Sequence, residues 1–183
     1  MQMGGLIQIV RDPREGRTKI VLTAEEMAHA EKIGDERHSD SRRRGLVDRC
    51  TNQPAERKRN LEMEAAAAEK AASIAFGYPG GEDVGTFKKP DVGDYIQVRH
   101  TEHLNGRLIV RPGDKDGDFY VLVTGCRGTY EIAGWKWGLE AKDDQWWTDP
   151  GGWQPAWFVP RFALEPFHTL KELLNEWPKR STR

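Results

Sequence analysis

The pattern of apolar and polar positions predicts strands at the start of the chain. Leu6 to Val10 and Thr18 to Leu22 have the apolar, β-branched character of strands. The segment between them, Asp12 to Gly16, is rich in turn-forming residues. We therefore expect a β-hairpin here.

Two helices are predicted after the hairpin. Thr23 followed by Glu26 is a capping-box signature, in which each residue satisfies a backbone N–H of the first helical turn. The segment 52–54, which ends in proline, should separate this helix from a second one that runs from Ala55 to Phe76. Gly77 is the expected end of the second helix, because glycine adopts the left-handed conformation at little cost.

The remainder of the chain predicts a sheet and a last helix. Two of its four strands, Arg107 to Arg111 and Asp118 to Thr124, should form a hairpin through a turn at 112–118. A calcium loop is not expected there, since the downstream glutamate that it requires is missing. A short helix, about Leu170 to Trp177, precedes the basic tail 178–183. The expected strands are Tyr95 to His100, Arg107 to Arg111, Asp118 to Thr124 and Thr129 to Trp135.

The most informative segment leads into the first of these strands. Pro90-Asp91 is followed by Gly93-Asp94, a turn-type dipeptide, and then by Gln97 and Arg99. A straight strand would separate Asp91 from Gln97 by roughly 20 Å, so a bend at the dipeptide is needed to bring Asp91 back to the strand. Because side chains alternate, Gln97 and Arg99 should project from one face of that strand.

This order of residues resembles the PD-(D/E)XK nuclease superfamily, and more narrowly its small phage-type members. The family pattern is Pro-Asp, then Asp/Glu-x-Lys on a following strand, with a glutamate on the preceding helix. Pro90-Asp91 matches, Glu69 occupies the helix position, and Gln97 and Arg99 replace the second acid and the lysine. The resemblance covers roughly residues 58–165.

The resemblance implies a fold and a chemistry. The fold would be α/β, a restriction-endonuclease-like mixed sheet flanked by helices, with the hairpin and first helix as an appendage. The domains would be 1–54, 55–165 and 166–183. Glu69, Asp91 and Gln97 would bind Mg²⁺, with Mn²⁺ as a substitute, and Arg99 would contact the scissile phosphate of DNA.

The residues around Glu69 leave two interpretations open. Alanines at 65, 66 and 72 and Ser73 surround it at helical spacing, so this face can approach a sheet and carry the carboxylate inward. A buried acid would need a metal or another cation as a partner. The alternative is a glutamate that faces solvent on an alanine-rich helix.

The two substitutions in the motif leave the function open as well. Glutamine is neutral and weakens a Mg²⁺ site, while arginine can bind phosphate but is a poor proton acceptor. The chain therefore encodes a weak nuclease, a nuclease with other ligands, or a non-catalytic DNA-binding relative. An oligomeric phage structural protein is a further alternative, and an ordinary half-buried strand is the plainest one.

Charge and composition add a candidate DNA surface. The net charge is only −1 over 183 residues, so basic patches matter locally. Arg42, Arg43 and Arg44 form the centre of an arginine run that extends to Arg59, and with His100 they could contact phosphates. The alternative is a solvated helix face neutralised by nearby acids.

The remaining composition concerns location and packing. Cys50 and Cys126 have no metal-ligand spacing, and no run of about 18 apolar residues exists. We therefore expect a cytoplasmic protein with reduced thiols and without a membrane span. Seven tryptophans lie late in the chain and should mostly serve packing, with Trp146 and Trp147 the best candidates for exposure.

Overall fold

Three layers build the protein. The computed structural model describes residues 8–12, 17–45, 54–78, 89–152 and 154–177. Within them the chain is mixed α/β, with a five-stranded sheet that has helices on one face and a three-stranded sheet on the other. The helices that the structure describes include none that combines the length and apolar character needed to cross a bilayer.

Along the chain, two strands and two long helices come first, and most of the elements after them are strands. Two short 3₁₀ helices, at Asp144–Trp146 and Arg161–Ala163, lie among the later elements. The elements are β1 (Gln8–Asp12), β2 (Arg17–Val21), α1 (Ala24–Arg43), α2 (Ala55–Phe76), β3 (Ile96–Thr101), β4 (Leu108–Val110), β5 (Phe119–Cys126), β6 (Thr129–Trp137), α3 (Gly138–Ala141), β7 (Trp147–Thr148), β8 (Ala156–Val159) and α4 (Phe167–Glu176).

The larger sheet has the strand order β1-β2-β6-β5-β3. Only the β3 and β5 pair is parallel, so the sheet is mixed, as predicted. The predicted N-terminal hairpin is confirmed, and β2 also pairs with β6, which places the segment 1–54 partly within the sheet of 55–165. β3 is an edge strand, and the candidate site lies along this edge.

α1 begins where its sequence signal indicates, and α2 both begins and ends where its signals indicate. Thr23 and Glu26 form the full capping box, with the Thr23 backbone N–H donating to Glu26 Oε2 at 2.8 Å. α2 spans Ala55–Phe76 and ends at Gly77, whose φ of 74° is left-handed. Because many of its inward residues are alanines, α2 lies close against the sheet.

The hairpin predicted between Arg107 to Arg111 and Asp118 to Thr124 is wrong. β4 pairs with β8 in the three-stranded sheet, whereas β5 pairs with β3 and β6 in the larger one. The segment 111–118 therefore connects the two sheets. β8 was not predicted, because it is a four-residue strand in a segment rich in glycine and proline.

The C-terminal helix starts earlier than expected. α4 begins at Phe167 rather than about Leu170, directly after Pro166, whose fixed φ suits the residue before a helix. The Phe167 ring packs on Phe76 with centroids 4.8 Å apart, so the first turn is held by α2.

The tryptophans mostly pack, as predicted. Trp135 is buried and its indole N–H donates to Thr169 Oγ1 at 2.9 Å, which ties β6 to α4. Trp147 is 43 % exposed, whereas Trp146 is half-buried against the second core. Cys126 is a free thiol. Several predictions lie wholly or partly outside the described residues: the start of the first strand at Leu6, the turn near 13–16, the part of the arginine run that includes Arg49, Cys50, the break at 52–54, Trp153 and the tail 178–183.

Candidate functional site

A tight turn places Asp91 against the edge of β3. Gly93 has a φ of 58°, and the chain reverses there so that the Asp91 backbone N–H donates to Ile96 O at 2.9 Å. The Asp91 carboxylate then accepts a hydrogen bond from Val98 N at 2.7 Å. The bend predicted at Gly93-Asp94 is thus present, and it brings the carboxylate beside the strand.

Glu69 enters the same region from α2. Its residue is only 8 % exposed, so the inward orientation is the correct one of the two interpretations. Arg37 of α1 donates from Nη1 to Glu69 Oε1 at 2.8 Å and from Nη2 to Oε2 at 2.7 Å. This bidentate ion pair supplies the cation that a buried acid requires.

The Asp91 carboxyl has a raised pKa. Burial and, to a lesser degree, the neighbouring Glu69 carboxylate raise the pKa of its carboxyl to about 7. The Val98 hydrogen bond and the charges of Arg99 and Arg37 act in the opposite direction and are weaker. The buried Glu69 carboxylate and the half-buried Asp91 carboxylate thus lie within electrostatic reach of each other.

Gln97 and Arg99 project from the other face of β3. Ile96 and Val98 belong to the core under the helices, so the alternation of the strand turns their neighbours toward the three-stranded sheet. Gln97 Nε2 donates to Oδ2 of the fully buried Asp118 at 3.0 Å. The amide is therefore held by a carboxylate that the sequence did not single out for this role.

Arg99 joins the two sheets. Its guanidinium donates to Ile109 O at 3.2 Å, to Val98 O at 3.2 Å and to Asp114 Oδ2 at 2.9 Å. It also lies over the Tyr120 ring, 5.1 Å from the centroid. Asp114 in turn accepts the Arg111 N–H at 2.9 Å, so Arg99 fixes the connection between the sheets.

The four predicted site residues therefore divide into two groups. Glu69 and Asp91 are brought together at the edge of β3, under the helices. Gln97 and Arg99 are engaged on the opposite face, although the charge of Arg99 still reaches Asp91. No three His, Cys, Asp or Glu side chains of the described residues are arranged to hold a metal ion.

The donor chemistry of the Glu69 and Asp91 pair nevertheless fits Mg²⁺. Mg²⁺ takes oxygen ligands and is commonly held by one or two carboxylates together with waters and substrate phosphates. Both carboxylates offer only oxygens, and within the described residues Asp91 Oδ1 accepts no hydrogen bond. Gln97 is not part of this pair in the present arrangement.

The predicted DNA-contacting residues are partly engaged with the protein. Arg43 and Arg44 both pair with Asp40 of the same helix, at 3.5 and 2.8 Å, while Arg42 is exposed. His100 Nε2 lies 2.8 Å from Gly125 O, which ties the ring to β5. Asp40 thus offsets part of the positive charge that the arginines place at this end of α1.

Arg37 was present in the sequence only as one member of the arginine run. Its signal was periodicity: Ala30, Ile33, Gly34 and Arg37 recur at helical spacing, and the first three are buried. A cation that continues a buried stripe needs a buried acid, but nothing in the local pattern identified Glu69 as that partner.

We expect Arg99→Lys to destabilise the protein. A lysine ammonium cannot span the three acceptors that the planar guanidinium reaches, and it leaves Asp114 without its cation. Urea unfolding should show a loss of about 2 to 4 kcal/mol. The exposed Arg107, changed to Lys, is the control, and equal stability of the two variants would contradict the anchoring role.

The Asp91 carboxyl should make stability depend on pH. Its pKa of about 7 exceeds the ordinary value of 3.8, so the folded chain binds a proton more tightly than the unfolded chain. The stabilisation is complete below about pH 4 and is lost as pH rises through about 7. Asp91→Asn mimics the protonated form and keeps an oxygen for Val98 N.

Without divalent cations, wild type should therefore lose up to about 4 kcal/mol relative to Asp91→Asn between pH 4 and pH 8. Urea unfolding at several pH values measures this difference. Asp94→Asn, which changes an exposed carboxylate in the same turn, should follow wild type. Parallel profiles for wild type and Asp91→Asn would show that the burial of Asp91 has no energetic consequence.

Comparison with known proteins leaves the site to be interpreted from its own residues. No family model, curated protein or solved structure matches the chain. The features that bear on function are the buried Glu69 and half-buried Asp91 carboxylates, the Arg37 that bonds Glu69, and the two engaged residues of the opposite face.

Proposed function

We propose that the protein is a Mg²⁺-dependent phosphodiesterase that acts on DNA, with Glu69 and Asp91 as its metal ligands. The observation that carries the proposal is the position of these two carboxylates, Glu69 buried and Asp91 half-buried, within electrostatic reach of each other at the edge of β3. Placing like charges together in a protein interior is costly unless a cation joins them. Arg37 bonds both oxygens of Glu69, and a divalent cation would serve both carboxylates.

The residues would share the work as follows. Mg²⁺ polarises a phosphoryl oxygen and activates water for attack on phosphorus when it is bound. Glu69 and Asp91 would hold the cation, and the hydrogen bond from Val98 N fixes one oxygen of the Asp91 carboxylate. Arg99 contributes positive potential while its guanidinium stays bonded to Asp114.

A restriction-endonuclease-like core is the finer part of this proposal. A helix that carries an inward glutamate, a Pro-Asp pair and an edge strand follow one another in the chain and meet in space. The parallel pairing of β3 with β5 and the second sheet are features that this interpretation must accommodate. Solution of a related structure by experiment would test it.

Low activity is part of the same proposal. Gln97 stands where the nuclease pattern has an acid, and its amide is bonded to Asp118. The site then lacks one negative charge, which weakens its hold on Mg²⁺. Arg37, bonded to both oxygens of Glu69, weakens it further.

These two features also favour a second candidate, a DNA-binding protein on the same fold that does not hydrolyse its ligand. In that case Arg37 is a permanent partner of Glu69, and the exposed Arg42 and its neighbours bind phosphates through counterion release. Affinity for DNA would fall steeply with salt without any dependence on Mg²⁺.

Cleavage and metal binding distinguish the two candidates. We expect wild type to bind Mg²⁺ in calorimetry and to nick plasmid DNA slowly with Mg²⁺ or Mn²⁺. Glu69→Gln and Asp91→Asn should each weaken metal binding by more than about tenfold and abolish nicking, because each removes a ligand charge. Gln97→Glu should raise both, since it adds the missing charge.

Glu140→Gln, which neutralises an exposed acid distant in sequence from the site, is the control and should behave as wild type. DNA binding without Mg²⁺ binding would favour the second candidate. Failure to bind duplex, single-stranded or four-way-junction DNA at low salt would exclude both and leave a structural role, in which the exposed Phe162 and Trp147 contact other subunits.

A further inference from the structure

Arg37 lies on the oxygens that a metal would need. We propose that Arg37 is a built-in competitor of the divalent cation, which leaves Glu69 for a DNA phosphate when the cation binds. This inference rests on the proposed function and concerns the regulation of the same site. It makes metal and DNA binding mutually dependent.

Arg37 occupies both oxygens of the Glu69 carboxylate. Arg37 Nη1 and Nη2 each bond a different oxygen of Glu69, at 2.8 and 2.7 Å, so the whole carboxylate faces a guanidinium. A Mg²⁺ ion binds carboxylate oxygens at about 2.1 Å. The cation and the guanidinium would then repel each other across the same oxygens, so metal entry favours the departure of Arg37.

The close packing of α1 on α2 holds the backbone of Arg37 in this position. Gly34 lies one turn before it, where α1 crosses α2 so closely that a Cβ there would be 2.5 Å from Met63 Cα. Ala30 and Ile33 on the same stripe are buried. The backbone of α1 is thus fixed against α2, and exchange of partner falls to the Arg37 side chain.

Arg37 is accessible to a phosphate from the solvent side. The Arg37 side chain is 19 % exposed, compared with 11 % for that of Glu69, so Arg37 borders the solvent side of the pair. Arg44 lies seven residues further along α1, two turns away on nearly the same face. A DNA backbone that reaches Arg44 would bring a phosphate toward Arg37, and a guanidinium binds phosphate with the same two-pronged geometry as carboxylate.

The consequence is a reciprocal coupling. With no DNA, metal binding must break the bidentate pair of Arg37 with Glu69, which weakens the affinity for the cation. With DNA bound, a phosphate accepts Arg37 and that cost disappears. By linkage, the cation must strengthen DNA binding by the same factor.

Calorimetry with Ca²⁺, which takes the same oxygen ligands as Mg²⁺, measures the coupling. Ca²⁺ is titrated into the full chain with and without a short DNA duplex, and Mg²⁺ is titrated without DNA. Arg37→Met removes the charge and keeps the length, and Arg37→Lys keeps the charge but loses the bidentate pair. Arg59→Met is the matched control, because Arg59 joins the same two helices through Asp35 on the exposed surface.

We expect wild type to bind Ca²⁺ about tenfold more tightly with DNA than without it. Arg37→Met should bind either cation about tenfold more tightly than wild type without DNA and show no further gain from DNA. Arg37→Lys should be intermediate, and Arg59→Met should match wild type. In thermal unfolding, Mg²⁺ should raise the melting temperature of Arg37→Met more than that of wild type.

Equal cation affinity in wild type, Arg37→Met and Arg37→Lys would overturn the inference while leaving the proposed function intact. Absence of cation binding from all three proteins, with or without DNA, would overturn both. If Arg37→Met does not fold without a cation, the Arg37→Lys comparison and the DNA coupling of wild type still decide the question.

Discussion

The placement of two carboxylates, one buried and one half-buried, where α2 passes the edge of β3 is the constraint on which the candidate site depends. Glu69 and Asp91 reach this place from separate elements, one from a helix and one from a turn. Their charges must be compensated by the protein, because both have lost part of their hydration. Arg37 compensates the first through two hydrogen bonds, and burial shifts the second toward its protonated form.

The turn that carries Asp91 also covers part of the exposed edge of β3. β3 has β5 on one side only, and an unpaired edge offers free backbone groups to other chains. The turn at Gly93 returns Asp91 and Val92 to Ile96, and the Asp91 carboxylate bonds Val98 N. A residue proposed as a metal ligand is thus also a structural one, so its role in stability must be separated from its role in binding.

Local signals predicted much of the fold. The capping box at Thr23, the limits of α2 and the reversal at Gly93 each depend on neighbouring residues, and each is confirmed. The mixed sheet, which was expected from the nuclease resemblance and not from local signals, is also present. By contrast, the pairing of β4 with β8 joins residues about fifty positions apart, and the apolar pattern of a short strand does not specify its partner.

The site shows the same division between local and distant information. The sequence identified Glu69 and Asp91, and the helical spacing of the alanines indicated why Glu69 points inward. The partners of the charged groups were not predictable, because Arg37 is 32 positions from Glu69 and Asp118 is 21 from Gln97.

The location of a bound cation tests the central claim most directly. Crystals soaked in Mn²⁺ should show an anomalous scattering peak between the Glu69 and Asp91 carboxylates, with Arg37 no longer bonded to both oxygens of Glu69. A peak in the 111–118 connection instead, or no peak while the Arg37 and Glu69 pair stays intact, would contradict the account.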